Sequence, residues 1–105
     1  MDYQETIRQL GGFGRLKSFV GAHSFVSDGN MLRFKFKGSK IANVLAIYLT
    51  PQDDYTLKFI KIWGTKVTTV KELEGVYCDQ LVDIFESTTG LYLSFSPLVS
   101  FSLVA

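Results

Sequence analysis

Apolar and polar positions alternate most cleanly between Met31 and Lys37. Leu32, Phe34 and Phe36 take one side there, and Arg33, Lys35 and Lys37 take the other. A period of two marks a half-buried strand. Asn43 to Thr50 is apolar at nearly every position, through Val44, Leu45, Ala46, Ile47, Tyr48 and Leu49. It reads either as a central strand covered on both sides or as an alternating strand with an apolar outer face. Tyr55 to Trp63 predicts the next strand, with Tyr55, Leu57, Phe59 and Trp63 on one face and Lys58 and Ile60 on the other. Gly64-Thr65 suits a tight hairpin turn, and the β-branched run Lys66 to Val70 reads as the partner strand. Ser27-Asp28-Gly29-Asn30 and Pro51-Gln52-Asp53-Asp54 carry turn chemistry.

The period changes to that of a helix at both ends of this block. In residues 2–10, Tyr3, Ile7 and Leu10 share one face, Asp2 is placed to cap the helix with Glu5 three positions on, and Gly11-Gly12 stop it. In residues 76–90, Tyr77, Leu81, Ile84 and Phe85 form an apolar stripe opposite Asp79, Asp83 and Glu86, with Gly90 as the stop. A helix this short needs a surface to cover, so these four residues are expected in the core. Between Arg15 and Phe25, Gly21 and His23 interrupt the spacing of Leu16, Phe19, Val20 and Phe25. The expectation there is a strand over 16–20 followed by a loop. Leu91 to Phe95 reads as a short strand or an extended tail. The order α-β-β-β-β-α, with short connections, predicts an α+β fold. It is an antiparallel meander of four or five strands, with a short N-terminal and a longer C-terminal helix on one face.

Length and composition agree with this. One domain spans residues 1–105, and 47% of the residues are hydrophobic, enough for one core. The single cysteine excludes an internal disulfide framework and suits a reducing compartment. The polar start Met1-Asp2-Tyr3-Gln4-Glu5 is unlike a secretory signal, and no uncharged apolar run convincingly reaches the ~18–20 residues of a membrane span. The last residues are conspicuous: Leu98, Val99, Phe101, Leu103 and Val104 make 96–105 a candidate apolar tail. It would either fold back over its own sheet or recruit a second chain, giving a homodimer.

The net charge of +1 conceals an uneven distribution: −1 over residues 1–13, +7 over 14–71 and −5 over 72–105. Basic strands and an acidic helix could simply attract each other within the fold. Alternatively, a basic sheet face awaits an acidic partner. Arg33, Lys35 and Lys37 line one side of a strand, and Lys58 and Lys66 would extend that surface if their strands are neighbours. Positive side chains in a row suit phosphate contact. Binding of single strands also uses exposed rings, for which Trp63 and Tyr48 are candidates. Arg33, Lys35, Lys37, Lys58, Trp63 and Lys66 are therefore the candidate macromolecule-binding residues. A solvated outer face, with lysines discouraging edge pairing, would account for the same residues.

Catalytic chemistry is thin. Asp53-Asp54 could ligate a hard cation, but in a proline-led turn they are ordinary turn residues. His23 is the sole histidine, with no neighbour in sequence to orient it. Cys78 lies near a helix start without a partner histidine, and one cysteine plus one histidine cannot make a zinc site. Gly11-Gly12-Phe13-Gly14 lacks the Lys-Ser/Thr of a phosphate loop. No enzyme activity, metal, cofactor or small-molecule substrate is expected.

Several segments carry a resemblance: Leu10-Gly11-Gly12, Phe19-Val20-Gly21-Ala22, Leu32-Arg33-Phe34-Lys35, Tyr55-Thr56-Leu57-Lys58-Phe59, Gly75-Val76-Tyr77-Cys78-Asp79-Gln80-Leu81 and Thr89-Gly90-Leu91-Tyr92. In this order, across residues 8–93, the chain resembles a group of small uncharacterised proteins carried by bacteriophages and other bacterial mobile elements. The resemblance brings no activity and no site residues. It implies a place in the cytoplasm of a bacterial host and an accessory role. The expected function is binding of a macromolecule, either nucleic acid or an acidic host protein. The alternative is a structural or assembly protein that oligomerises through its apolar tail.

Overall fold

The computed structural model describes residues 2–93. Helix α1 (Tyr3–Gln9) and helix α2 (Phe13–Val20) precede five strands: β1 (His23–Asp28), β2 (Met31–Lys35), β3 (Val44–Leu49), β4 (Tyr55–Trp63) and β5 (Lys66–Val76). A single 3-10 turn, Cys78–Gln80, then leads into α3 (Leu81–Thr89). The strands form one antiparallel meander in the order β1-β2-β3-β4-β5. The α+β architecture read from the sequence is therefore the observed one, with three helices packed against the sheet instead of two. The candidate tail 96–105 and the end of Leu91–Phe95 lie outside the described residues.

The core occupies the space between the helices and one sheet face. Ile7 and Leu10 from α1 and its C-terminal end, Leu16 and Val20 from α2, and Leu81 and Phe85 from α3 meet Leu32, Phe34, Phe36, Leu45, Ile47, Leu57 and Phe59 from the sheet side. Helix α1 starts as its sequence predicts: the Asp2 carboxylate accepts from the backbone N–H groups of Gln4 and Glu5, at 3.1 and 3.3 Å. Tyr3, expected on its buried face, is 39% exposed.

Residues 16–20 are helical, not the expected strand. Leu16 and Val20, one turn apart, are both buried, and Gly21 at φ +63° ends the helix, with the Ala22 N–H closing onto the Leu16 carbonyl. Gly21 interrupts the apolar period because it is the stop signal. The expected loop after it is instead strand β1. Its pairing with β2 slips between His23 and Val26, and Ser24 adopts φ +58°. Such a bulge destroys the period of two that would reveal a strand. Strand β5 runs to Val76, so residues 71–75 belong to the sheet and not to a lead-in to the helix; it carries two register slips against β4.

Tyr77 is the other correction. It is extended and 59% exposed, because α-helical geometry begins only at Leu81. The buried stripe is then Leu81, Phe85 and Thr89, at spacings of four. Ile84 flanks it half-buried, and Gly90 at φ +77° closes the helix as expected. Truncating Leu81 or Phe85 to Ala should therefore cost ~2–5 kcal/mol in denaturant unfolding. Tyr77→Ala should cost less than about 1 kcal/mol; a core-sized loss at Tyr77 would contradict this packing.

Candidate functional site

Because all three helices cover one face, strand parity determines what the opposite, outer face presents. Arg33 lies opposite Ala46, which lies opposite Lys58. Lys35 lies opposite Val44, which lies opposite Ile60. Arg33 and Lys58 are thus two strands apart, about 10 Å at the backbone. Across the three central strands this face shows Met31, Arg33, Lys35, Val44, Ala46, Tyr48, Thr56, Lys58, Ile60 and Ile62, with no carboxylate among them. The open question about β3 is resolved here: it alternates, and its outer side is apolar. Val44 and Ala46 are only 2% and 1% exposed although none of the described helices covers them. The long side chains around them form the roof, with charged ends kept in water.

The surface is a shallow trough. One depression of about 320 Å³ is lined by Arg33, Lys35, Val44, Ile60, Ile62 and Val67. A second, of about 260 Å³, shares Lys35, Val44 and Ile62 and adds His23 and Lys37. Lys58 is half-buried, its amine 5.2 Å from the centroid of the Tyr48 ring, so the Tyr48 face is already engaged by a cation.

The six candidate residues do not form one patch. Arg33, Lys35 and Lys58 share the outer face, and Lys37 sits at its rim, where its N–H donates to the Val20 carbonyl. Trp63 and Lys66 face each other across the last rung of β4–β5. They follow and precede Ile62 and Val67, which face outward, so alternation turns them to the other side. Lys66 therefore does not extend the outer surface. Trp63, of the same parity as buried Phe59, is 75% exposed because it lies beyond the reach of the helices. Sequence reasoning missed His23 and Lys61 as neighbours of these sites. Lys61 was readable from parity with Trp63, whereas His23 depended on recognising β1.

The meander also sorts charge by end. The β2–β3 loop and the β4–β5 turn lie at one end and bring Lys37, Lys40, Lys61 and Lys66 there. The β1–β2 and β3–β4 turns lie at the other, with Asp28, Asp53 and Asp54; β5 finishes there with Glu74, followed by Asp79.

The side chains weighed for catalysis are placed as follows. His23 Nδ1 lies 2.9 Å from the Ser24 hydroxyl, Cys78 is exposed on the 3-10 turn, and Asp54 accepts from the Thr50 hydroxyl within its turn. These groups belong to different elements. Among the described residues no cluster of three or more His, Cys, Asp or Glu could hold a metal, and no helix is long and apolar enough to cross a membrane.

Comparison with family models, curated proteins and solved structures finds no match to this chain.

The hairpin end is anchored by Asn43. Its side-chain amide donates to the Ile62 carbonyl and accepts from the Ile62 N–H, both at 2.8 Å, adding a rung to the ladder beyond β3. Asn43→Ala should cost about 1–2 kcal/mol and accelerate amide exchange at Ile62 while leaving Phe59 protected. Unchanged exchange at Ile62 would show that the tip holds without this rung.

Proposed function

We propose that this chain is a small non-enzymatic accessory protein of a bacterial mobile element that binds nucleic acid on the outer sheet face. The observation that carries the reading is the face over which, among the described residues, no helix lies. Arg33 and Lys35 of β2 and Lys58 of β4 flank the apolar floor of β3, with no carboxylate on these three central strands; Glu72 of β5 stands opposite Lys58. Cations in fixed rows neutralise phosphates in register, and the counterions they release make binding favourable at low salt. The resemblance across residues 8–93 supports the mobile-element context. An acidic host protein would meet the same cations, so the nature of the polyanion is what the experiment must decide.

With three or four phosphates engaged, a plot of log affinity against log salt should have a slope of roughly −3, and binding should weaken about 50-fold between 50 and 200 mM salt. The double change Arg33→Glu, Lys35→Glu should reduce retention at least about tenfold. It should lower stability by about 1–2 kcal/mol, because the charged ends are exposed but the stems shield Val44 and Ala46, so folding is checked by denaturant unfolding alongside retention. No retention of either single- or double-stranded nucleic acid at low salt sinks the proposal.

A further inference from the structure

We infer that the β4–β5 hairpin tip is a base-stacking device, with Trp63 as its platform, and that the nucleic acid bound is single-stranded; this rests on the outer-face reading above. Strand β3 begins at Val44, opposite Ile60. Beyond that rung β4 and β5 continue as a two-stranded ribbon held to the body by Asn43. Residues 61–71 contain Lys61, Lys66 and Lys71 and no Asp or Glu. On the side of the ribbon away from the trough, Trp63 is opposite Lys66 and Lys61 is opposite Thr68. The Lys61 amine lies 6.0 Å from the Trp63 ring centroid, and the residue remains 75% exposed. An aromatic ring left in water between lysines is what a splayed base and its flanking phosphates require.

Geometry selects the single strand. The trough ends at Ile62 and Val67. Trp63 and Lys66 are the next residues along the chain but face the opposite way. A ligand that uses both surfaces must turn around a ribbon only two strands wide. A single strand can do so and can offer unstacked bases, whereas a duplex is stiff over ~150 base pairs and keeps its bases stacked.

Trp63 is the only tryptophan, so fluorescence excited at the long-wavelength edge of its absorption, where tyrosine does not absorb, reports on this position alone. Titration with a thymidine oligonucleotide should quench it saturably, with the same midpoint as anisotropy of the labelled oligonucleotide. A duplex of equal length should leave it unchanged. Trp63→Leu should weaken single-strand binding about tenfold without altering duplex retention, and Trp63→Phe should restore most of the loss. Single-strand binding with unchanged Trp63 fluorescence, or undiminished by Trp63→Leu, overturns the inference and leaves the outer-face reading standing. Equal quenching by the duplex also overturns it. Failure to bind either form overturns both.

Discussion

A row of phenylalanine rings is the feature on which the other parts of this fold depend. Phe13 of α2 meets Phe25 of β1 with centroids 5.0 Å apart, Phe25 meets Phe34 of β2 at 5.2 Å, and Phe34 meets Phe36 at 6.2 Å. Phe36 then meets Phe85 of α3 at 5.0 Å, and Phe85 meets Phe59 of β4 at 6.4 Å. The row runs across the sheet under the helices and joins segments from residue 13 to residue 85. Rings of this size dominate core burial, and their edge-to-face and offset contacts add to it. Because the row lies on one face, every helix is drawn to that face. Among the described residues, the opposite face is left to cover itself.

That leftover face explains why its cations look as they do. β3 is apolar on both sides, so Val44 and Ala46 must be shielded by something other than a helix. Arg33, Lys35 and Lys58 can do this, since their stems are apolar and their charged ends reach water. A packing problem and a binding surface therefore share residues. The sheet edges are handled separately. β1 is bulged, and β5 slips register twice and carries Lys66, Lys71, Glu72 and Glu74. Irregularity and charge are the usual protection against edge-to-edge pairing.

How legible each element was depended on whether its signal survived its own geometry. β2 and β4 alternate without interruption, so their faces were readable, and so were the bounds of β4; β2 ends at Lys35, two residues before its alternation does. α1 announced itself by Asp2, and the end of α3 by Gly90. Helix α2 was hidden because its stop glycine fell inside the window used to judge its period, and Gly14 and Val20 are weak helix formers. β1 was hidden by its bulge. Tyr77 was misplaced by one turn: spacing alone cannot distinguish a residue within a helix from one just ahead of a 3-10 start. The outer-face cations were legible because they alternate with core phenylalanines. The division of Trp63 and Lys66 from them was also implicit in the alternation, but only once the turn at Gly64-Thr65 fixed which residues face each other.

Charge shows most clearly what topology adds to sequence. Read in blocks, the chain has a basic centre and an acidic C-terminal stretch, which suggested a basic sheet attracted to an acidic helix. The meander redistributes the same charges lengthwise, because each turn returns the chain to the opposite end. Lysines of the β2–β3 and β4–β5 connections collect at one end, and aspartates of the β1–β2 and β3–β4 turns at the other. Like charges gathered at one end repel, which the fold tolerates only where they are well solvated or await counter-charge. The β4–β5 ribbon meets the first condition by reaching past β3 into water. The same reach exposes Trp63, whose ring would otherwise join the phenylalanine row one rung beyond Lys61. Exposure of that ring is thus a consequence of strand length: β4 outlasts β3, the helices stop short of it, and a residue with core parity is left at a basic tip.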